Sequence, residues 1–125
     1  MLTGKTEMIV KTMELAEARF AARQQYEAEH GPKKWGVYLP EEKALIDYLM
    51  SLDRETVETL EVLMLLGRDD EYRNLGDTPE ENYLKLKEKR YHHHPDQEVA
   101  VYYLTGKNTL KVFLENGLNY LGIVL

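Results

Sequence analysis

The stretch of residues 53–67 constrains the fold more than any other part of the sequence. Its apolar side chains recur at steps of three and four, at Val57, Leu60, Leu63 and Met64. Such spacing indicates one apolar stripe along an α-helix. The last turn, residues 62–66, is apolar on almost every side. Because a helix end of this kind has to be covered from several directions, we predict a helix over about 54–66, buried at the centre of the core.

Both ends of this helix carry residues that are typical of helix boundaries. Asp53 is placed to accept a hydrogen bond from the first N–H groups of the helix. Gly67 follows the last periodic residue, where helices often end in a left-handed conformation. Together with Gly106 and Gly117, it is expected to mark a tight turn or a close contact between helices.

The first helix is predicted over residues 6–30 and ends before Gly31-Pro32. Its inner stripe is formed by Ile9, Met13, Ala16 and Phe20. After residue 22 the pattern turns polar. A helix of this length measures about 37 Å, whereas a compact chain of this size has a radius of gyration of about 14 Å. The second half is therefore expected to project, to pair with another subunit or to fray.

Four further helices are predicted from their start signals, which are Pro40, Thr78-Pro79-Glu80-Glu81, Asp96 and Asn108. In the Thr78 helix we expect Tyr83, Leu84 and Leu86 to be buried. The β-prone run 99–103 is interpreted as helix, because no segment alternates with period two for long enough. The sequence thus predicts an all-α fold: a compact bundle of five to six helices in a single domain, 1–125, with its core in 40–122.

Charge and residue usage exclude several classes of function. The chain has no cysteine, so disulfides, thiolate metal sites and cysteine nucleophiles are excluded. Its net charge of −6 repels phosphate backbones, and we expect no nucleic-acid partner. Residues 1–7 contain no apolar signal region, and the longest apolar run is far too short to span a membrane. We therefore expect a soluble, cytoplasmic protein.

Two segments of the sequence resemble a small bacterial family catalogued as a domain of unknown function. They are LEVLMLLGRD at 60–69 and YLTGKNTLKVFLENGL at 103–118. The family signatures read approximately LVALMWLGRG and YLLGTPLLxxYLExGL. Leu65 stands in place of the tryptophan, Asp69 in place of the second glycine, and Lys107-Asn108 in place of the T-P pair. The resemblance covers roughly 44–122 and implies an all-helical domain, but it implies no activity.

Candidate metal ligands are densest at 92–96. His92, His94 and Asp96 offer imidazole and carboxylate groups, which suit zinc or a similar ion. Consecutive side chains diverge along a helix, so at most two of the three histidines at 92–94 could share one ion. The alternative is a polar helix terminus, where histidines complement the helix dipole. We favour that alternative and expect no cofactor.

Two other candidate sites each allow two interpretations. Asp69 and Asp70 form an acidic loop after the central helix, which could bind Mg²⁺ or be a solvated turn. Arg68 could pair with either carboxylate or reach back to carbonyl groups of the central helix. Trp35 and Tyr38 lie in the loop before Pro40 and could either cover the core or contact a partner.

The sequence favours a non-catalytic interaction or regulatory module of the bacterial cytosol. The long first helix and the aromatic loop suggest a protein partner or a homodimer through the first helix. The alternative is a small metal-dependent enzyme that uses the His92–Asp96 cluster, with zinc or magnesium.

Overall fold

A computed structural model describes residues 2–32, 38–93, 96–107 and 109–125, with the backbone alone at 90–93. Within these ranges the chain forms six α-helices, one short 3₁₀ helix and no β-strand. The helices are α1 (Thr6–His30), α2 (Pro40–Met50), α3 (Arg54–Arg68), α4 (Pro79–His93), α5 (Gln97–Thr105) and α6 (Leu110–Tyr120), with the 3₁₀ helix at Asp70–Arg73. The predicted all-α bundle with a long N-terminal helix is confirmed.

Helix α3 lies at the centre of the bundle, as its apolar last turn predicts. Its N-terminus is capped by Asp53, which accepts hydrogen bonds from the backbone N–H of Thr56 at 3.1 Å and from the Thr56 hydroxyl at 2.6 Å. Every residue from Thr56 to Leu66 is buried. Neighbouring helices therefore enclose this segment on all sides.

The predicted role of Gly67 as a left-handed helix terminator is wrong. Helix α3 continues through Gly67 to Arg68, and the described glycines with positive φ are Gly4, Gly31 and Gly122. A Cβ atom on Gly67 would lie 1.8 Å from the carbonyl oxygen of Phe113 in α6. Gly67 is thus required for close packing between helices, which is the other role that the sequence allowed.

Gly117 makes the reciprocal contact from α6. A Cβ atom there would lie 2.1 Å from the carbonyl oxygen of Leu63 in α3. Because each backbone packs against a glycine of the other helix, α3 and α6 approach more closely than side chains would permit. Their interface is the most extensive between any two described helices.

The carboxyl end of α3 is completed by the segment that follows it. Arg73 donates a hydrogen bond from Nε to the carbonyl oxygen of Leu66 at 2.9 Å, and its guanidinium lies 4.5 Å from the centre of the Tyr120 ring. Asn82 of α4 is buried and donates to the Arg73 carbonyl at 2.8 Å and to the Tyr120 hydroxyl at 2.6 Å. These contacts connect the 3₁₀ helix, α4 and the end of α6.

Helix α4 begins at the predicted capping signal. Thr78 Oγ1 accepts a hydrogen bond from the backbone N–H of Glu81 at 3.1 Å, and Glu81 Oε2 accepts from the N–H of Asp77 at 2.9 Å. Tyr83 and Leu86 are buried as predicted, but Leu84 is exposed. Leu84 is one residue away from the buried stripe, and a step of one turns a side chain by about 100° around the helix axis.

Helix α1 is continuous over the predicted range, and its inner face is shorter than the helix. Its last buried residue is Arg19, and none of the residues 20–30 is buried. Phe20, predicted to point inwards, is 38% exposed because the buried stripe is centred on Ile9, Thr12, Ala16 and Arg19. The second half of α1 is helical and offers its side chains to solvent.

Helices α2 and α5 pack side by side in opposite directions. The Gln97 amide at the start of α5 donates to the carbonyl oxygen of Leu52 at 2.6 Å, just beyond the end of α2. Tyr102, near the end of α5, lies beside Ile46 in the middle of α2. The helical interpretation of 99–103 is confirmed, whereas the cap predicted at Asn108 lies outside the described residues. No helix in the described ranges is long and apolar enough to cross a membrane.

Candidate functional site

Tyr38, one of the two aromatic residues suggested as partner contacts, lies at a groove between α2 and α5. The groove has a volume of about 280 Å³ and is lined by Tyr38, Lys43, Ile46, Asp47 and Tyr102. Tyr38 is 65% exposed and Tyr102 is 48% exposed. Trp35, the other suggested contact, lies outside the described residues.

Two further apolar side chains extend this groove along the seam of the two helices. Met50 lies one turn after Ile46 on α2 and is 41% exposed, and Val99 lies one turn before Tyr102 on α5 and is 51% exposed. Since α2 and α5 run in opposite directions, both extensions point the same way along the seam. We call Tyr38, Ile46, Met50, Val99 and Tyr102 the α2–α5 surface.

The α2–α5 surface is apolar with a balanced charged edge. Lys43 and Asp47 are exposed, four residues apart on α2, and they contribute one positive and one negative charge at the groove. Aromatic side chains dominate protein interfaces because they combine a large apolar area with a polar group that can form a hydrogen bond. This composition suits the docking of another polypeptide.

The acidic loop consists of two carboxylates with different partners. Asp69 accepts a hydrogen bond from Arg68 Nε at 2.7 Å, and Arg68 also donates from Nη1 to the Tyr103 hydroxyl at 3.3 Å. Asp70 is exposed and lies 3.6 Å from Arg73 Nη1. Of the two pairings considered for Arg68, the structure shows the one with Asp69. The two carboxylates therefore pair with two different arginines, Asp69 with Arg68 and Asp70 with Arg73.

The suggested metal cluster is described only at Asp96. Its carboxylate accepts a hydrogen bond from the backbone N–H of Glu98 at 2.9 Å and caps α5, as its position before the helix predicts. The side chain of His92 and the whole of His94 lie outside the described residues. Among the side chains that are described, no three His, Cys, Asp or Glu residues are grouped to hold a metal ion. Metal binding at 92–96 stays a prediction.

The basic side chains of α4 are partly used within the fold. Lys87 Nζ lies 3.2 Å from Glu55 Oε1 on α3, and Lys5 Nζ lies 3.5 Å from the same oxygen. The hydrogen bond from Lys87 lowers the pKa of the Glu55 carboxyl group. Lys85 donates to the Leu75 carbonyl oxygen at 2.9 Å. Glu55 therefore links α4 to the start of α1.

A second groove lies on other helices, between α1 and α6. It has a volume of about 190 Å³ and is lined by Ala16, Glu17, Phe20, Thr109, Lys111 and Val112. An ion pair of 3.2 Å between Lys111 Nζ and Glu17 Oε2 connects the two helices at the groove. Hydrogen bonds to Glu17 and Glu115 raise the pKa of Lys111. We call this set the α1–α6 groove.

Sequence reasoning missed four of the five residues of the α2–α5 surface. Ile46 and Met50 each follow a buried leucine of α2, and Val99 and Tyr102 lie in the run 99–103, which the sequence predicts as helix without indicating which face is exposed. A usable signal was present, since both short helices carry more apolar side chains than one buried face can hold. The excess apolar residues are those that the structure leaves exposed.

No known protein family matches the chain, and no curated protein or solved structure does. The family resemblance over 44–122 stays a prediction. Function is therefore inferred from the two grooves and the residues around them.

Proposed function

We propose that the protein is a non-catalytic interaction module of the bacterial cytoplasm, which binds another protein through the α2–α5 surface. The observation that carries this proposal is the exposure of Tyr38, Met50, Val99 and Tyr102 along one seam between two helices. Clustered apolar side chains at the surface of a folded chain mark interaction sites more often than isolated ones do.

The chemistry of the surface indicates what kind of partner it suits. Tyr38 and Tyr102 supply aromatic rings with hydroxyl groups, and residues of this type often contribute most of the binding energy at an interface. The opposite charges of Lys43 and Asp47 leave the edge without net charge. A partner that presents an apolar side chain, with polar groups around it, fits this arrangement better than a polyanion does.

Site-specific photo-crosslinking in the native cell tests the proposal. A photoreactive amino acid at Val99 reports on the α2–α5 surface, and the same amino acid at Ala18, exposed on α1, is the matched control. We expect a defined crosslinked product from position 99 that is missing from position 18. The additional substitution Tyr102→Lys should abolish that product, because it places a charge in the apolar contact.

Two results would contradict the proposal. Positions 99 and 18 could give the same products, or the product from position 99 could persist when both Tyr38 and Tyr102 are replaced by serine. Both tyrosines are largely exposed, so these variants are expected to keep the stability of the parent protein within about 0.5 kcal/mol. Thermal unfolding of each variant verifies that the fold is intact.

A further inference from the structure

The α1–α6 groove leaves apolar side chains of two helices open to solvent. Phe20 is 38% exposed and Val112 is 49% exposed, and Ala16 lies between them at the groove. The charged side chains at the edge are Glu17 on α1 and Lys111 on α6. The groove therefore has an apolar centre with Glu17 and Lys111 at its edge on different helices, and Lys111 Nζ also lies 3.3 Å from Glu115 Oε1 on α6.

The second half of α1 continues the groove with an uncharged face. Ala21, Gln24 and Ala28 follow Glu17 at steps of four, three and four, so they lie on one side of the helix, and all three are exposed. Arg23 and Glu27 lie on the neighbouring side and pair with each other at 3.1 Å. An uncharged helical face thus continues from the apolar groove along the second half of α1.

The charges beside the groove decide which occupant fits. In a two-fold symmetric interface both subunits use the same surface. If one residue contacts a second residue across the interface, the reverse contact also forms, so the surface has to be complementary to itself. Glu17 and Lys111 satisfy this condition, because each can face the other across a two-fold axis. The net charge of −6 on the whole chain opposes the association of two copies, so a favourable contact between opposite charges is needed at the interface.

We propose that a second copy of this chain binds at the α1–α6 groove. Two α1 helices then lie antiparallel, with Phe20 of each subunit against Val112 of the partner subunit and Glu17 opposite the partner's Lys111. The apolar centre contributes affinity through burial, and the two crossed charge pairs fix the orientation. This dimer leaves the α2–α5 surface available, since the two surfaces belong to different helices.

The size of the surface sets the expected strength of the dimer. Stable specific interfaces bury at least about 1,000 Å² in total and standard ones involve about 20–30 residues on each side, whereas the groove alone is lined by six residues. The face formed by Ala21, Gln24 and Ala28 has to take part as well. The dimer therefore belongs among the small, reversible interfaces, and we expect a dissociation constant in the micromolar range.

Sedimentation equilibrium of the full chain, over concentrations from low to high micromolar, measures this dissociation constant. We expect Phe20→Ser to weaken the dimer at least about tenfold, because it removes the main apolar contact. The control is Ala18→Ser, on the outer side of α1 away from the groove, which should leave the dissociation constant unchanged. A wild-type chain that stays monomeric over the whole range overturns the proposal.

Charge exchange distinguishes a contact between subunits from the ion pair within one subunit. Glu17→Lys and Lys111→Glu each place like charges together, and each variant alone should be monomeric where the wild type dimerises. An equimolar mixture of the two should dimerise again, because each altered residue then faces an opposite charge in the other subunit. The ion pair inside each chain stays broken in that mixture, so restored association can only come from contacts between chains.

The mixing result decides the proposal in either direction. Recovery of the dimer in the mixture, with no dimer in either component, supports the crossed contact. If the wild type dimerises but the mixture does not, the second copy binds elsewhere and the proposal is overturned. Tyr102→Lys should leave the dimer intact, because Tyr102 belongs to the α2–α5 surface. Sedimentation therefore tests the dimer, and photo-crosslinking tests partner binding, independently of each other.

Discussion

Replacing Gly117 by alanine tests the close contact between the backbones of α3 and α6. The new Cβ would lie 2.1 Å from the carbonyl oxygen of Leu63 and 2.9 Å from its carbonyl carbon. Heavy atoms pack best at about 3.5 Å or more, so α6 has to move away from α3 by roughly 1.4 Å. Both neighbouring atoms belong to backbone within a helix, and neither can rotate aside as a side chain would.

The expected cost follows from two opposing effects. Alanine is favoured over glycine inside a helix by about 1 kcal/mol, which acts to stabilise the variant. Forcing an extra methyl group into a packed core costs about 1–3 kcal/mol or more, and here the whole α3–α6 interface is displaced. We expect packing to win and the free energy of unfolding to fall by about 2 kcal/mol. The melting temperature should fall by roughly 5–10 °C.

Denaturant unfolding followed by circular dichroism measures this change. Gly106→Ala is the matched control, because Gly106 is exposed at the end of α5 with a φ of −70°, and its Cβ would lie 3.3 Å from the nearest carbonyl oxygen. That variant should change the free energy by less than about 0.5 kcal/mol. If Gly117→Ala is as stable as the wild type or more stable, the backbones of α3 and α6 do not meet as described.

Three further predictions concern stability and metal content. Asp53→Ala should cost about 1 kcal/mol, because Asp53 accepts two hydrogen bonds from Thr56. The hydrogen bond from the Thr56 side chain lowers the pKa of Asp53 in the folded chain, so this stabilisation is present above the unfolded value of about 3.9 and is lost as pH falls through the folded value. The difference in unfolding free energy between wild type and variant should therefore be smaller at pH 3 than at pH 7. Asn82→Ala should cost about 2 kcal/mol and speed amide hydrogen exchange in α4, because the buried Asn82 side chain forms three hydrogen bonds, including one to the Tyr120 hydroxyl, that the variant lacks. Unchanged exchange would contradict this role. Finally, protein purified without a histidine tag should contain no stoichiometric zinc by elemental analysis, and one equivalent that disappears on replacing His92 and His94 would instead support the metal-dependent alternative.

The helices and their caps could be predicted because their signals are local. The capping hydrogen bonds at Asp53 and at Thr78 each join residues that are three positions apart. The central position of α3 also followed from the sequence, since the last turn is apolar on every side. Each of these conclusions needs only the geometry of one helix and the cost of exposing apolar surface.

The exact faces of the helices could not be predicted, because they depend on where other helices lie. Phe20 continues the apolar stripe of α1 but passes the edge of its contact with the core, and Leu84 is only one residue away from a buried neighbour. Gly67 looks like a terminator in sequence, and only the approach of α6 reveals that it is a packing residue. Contacts between distant segments decide all three cases.

The candidate sites were less predictable than the fold for the same reason. Tyr38 could be suggested as an exposed aromatic residue, but its groove requires Tyr102, which lies 64 positions later in the chain. The α1–α6 groove likewise joins Glu17 to Lys111. A surface made from two helices becomes visible only when their packing is known, whereas a motif within one loop can be found in the sequence.

The burial of residues 56–66 of α3 has a consequence for how the chain is made. Residues 56–66 are covered in large part by α6, whose last residue is Tyr120. At synthesis rates of about 5–20 residues per second, Tyr120 is added to the growing chain roughly 3–11 s after Leu66. During that interval the apolar side chains of α3 lack the helix that makes their most extensive contact. Chaperones that hold apolar segments are therefore expected to bind the growing chain until α6 emerges.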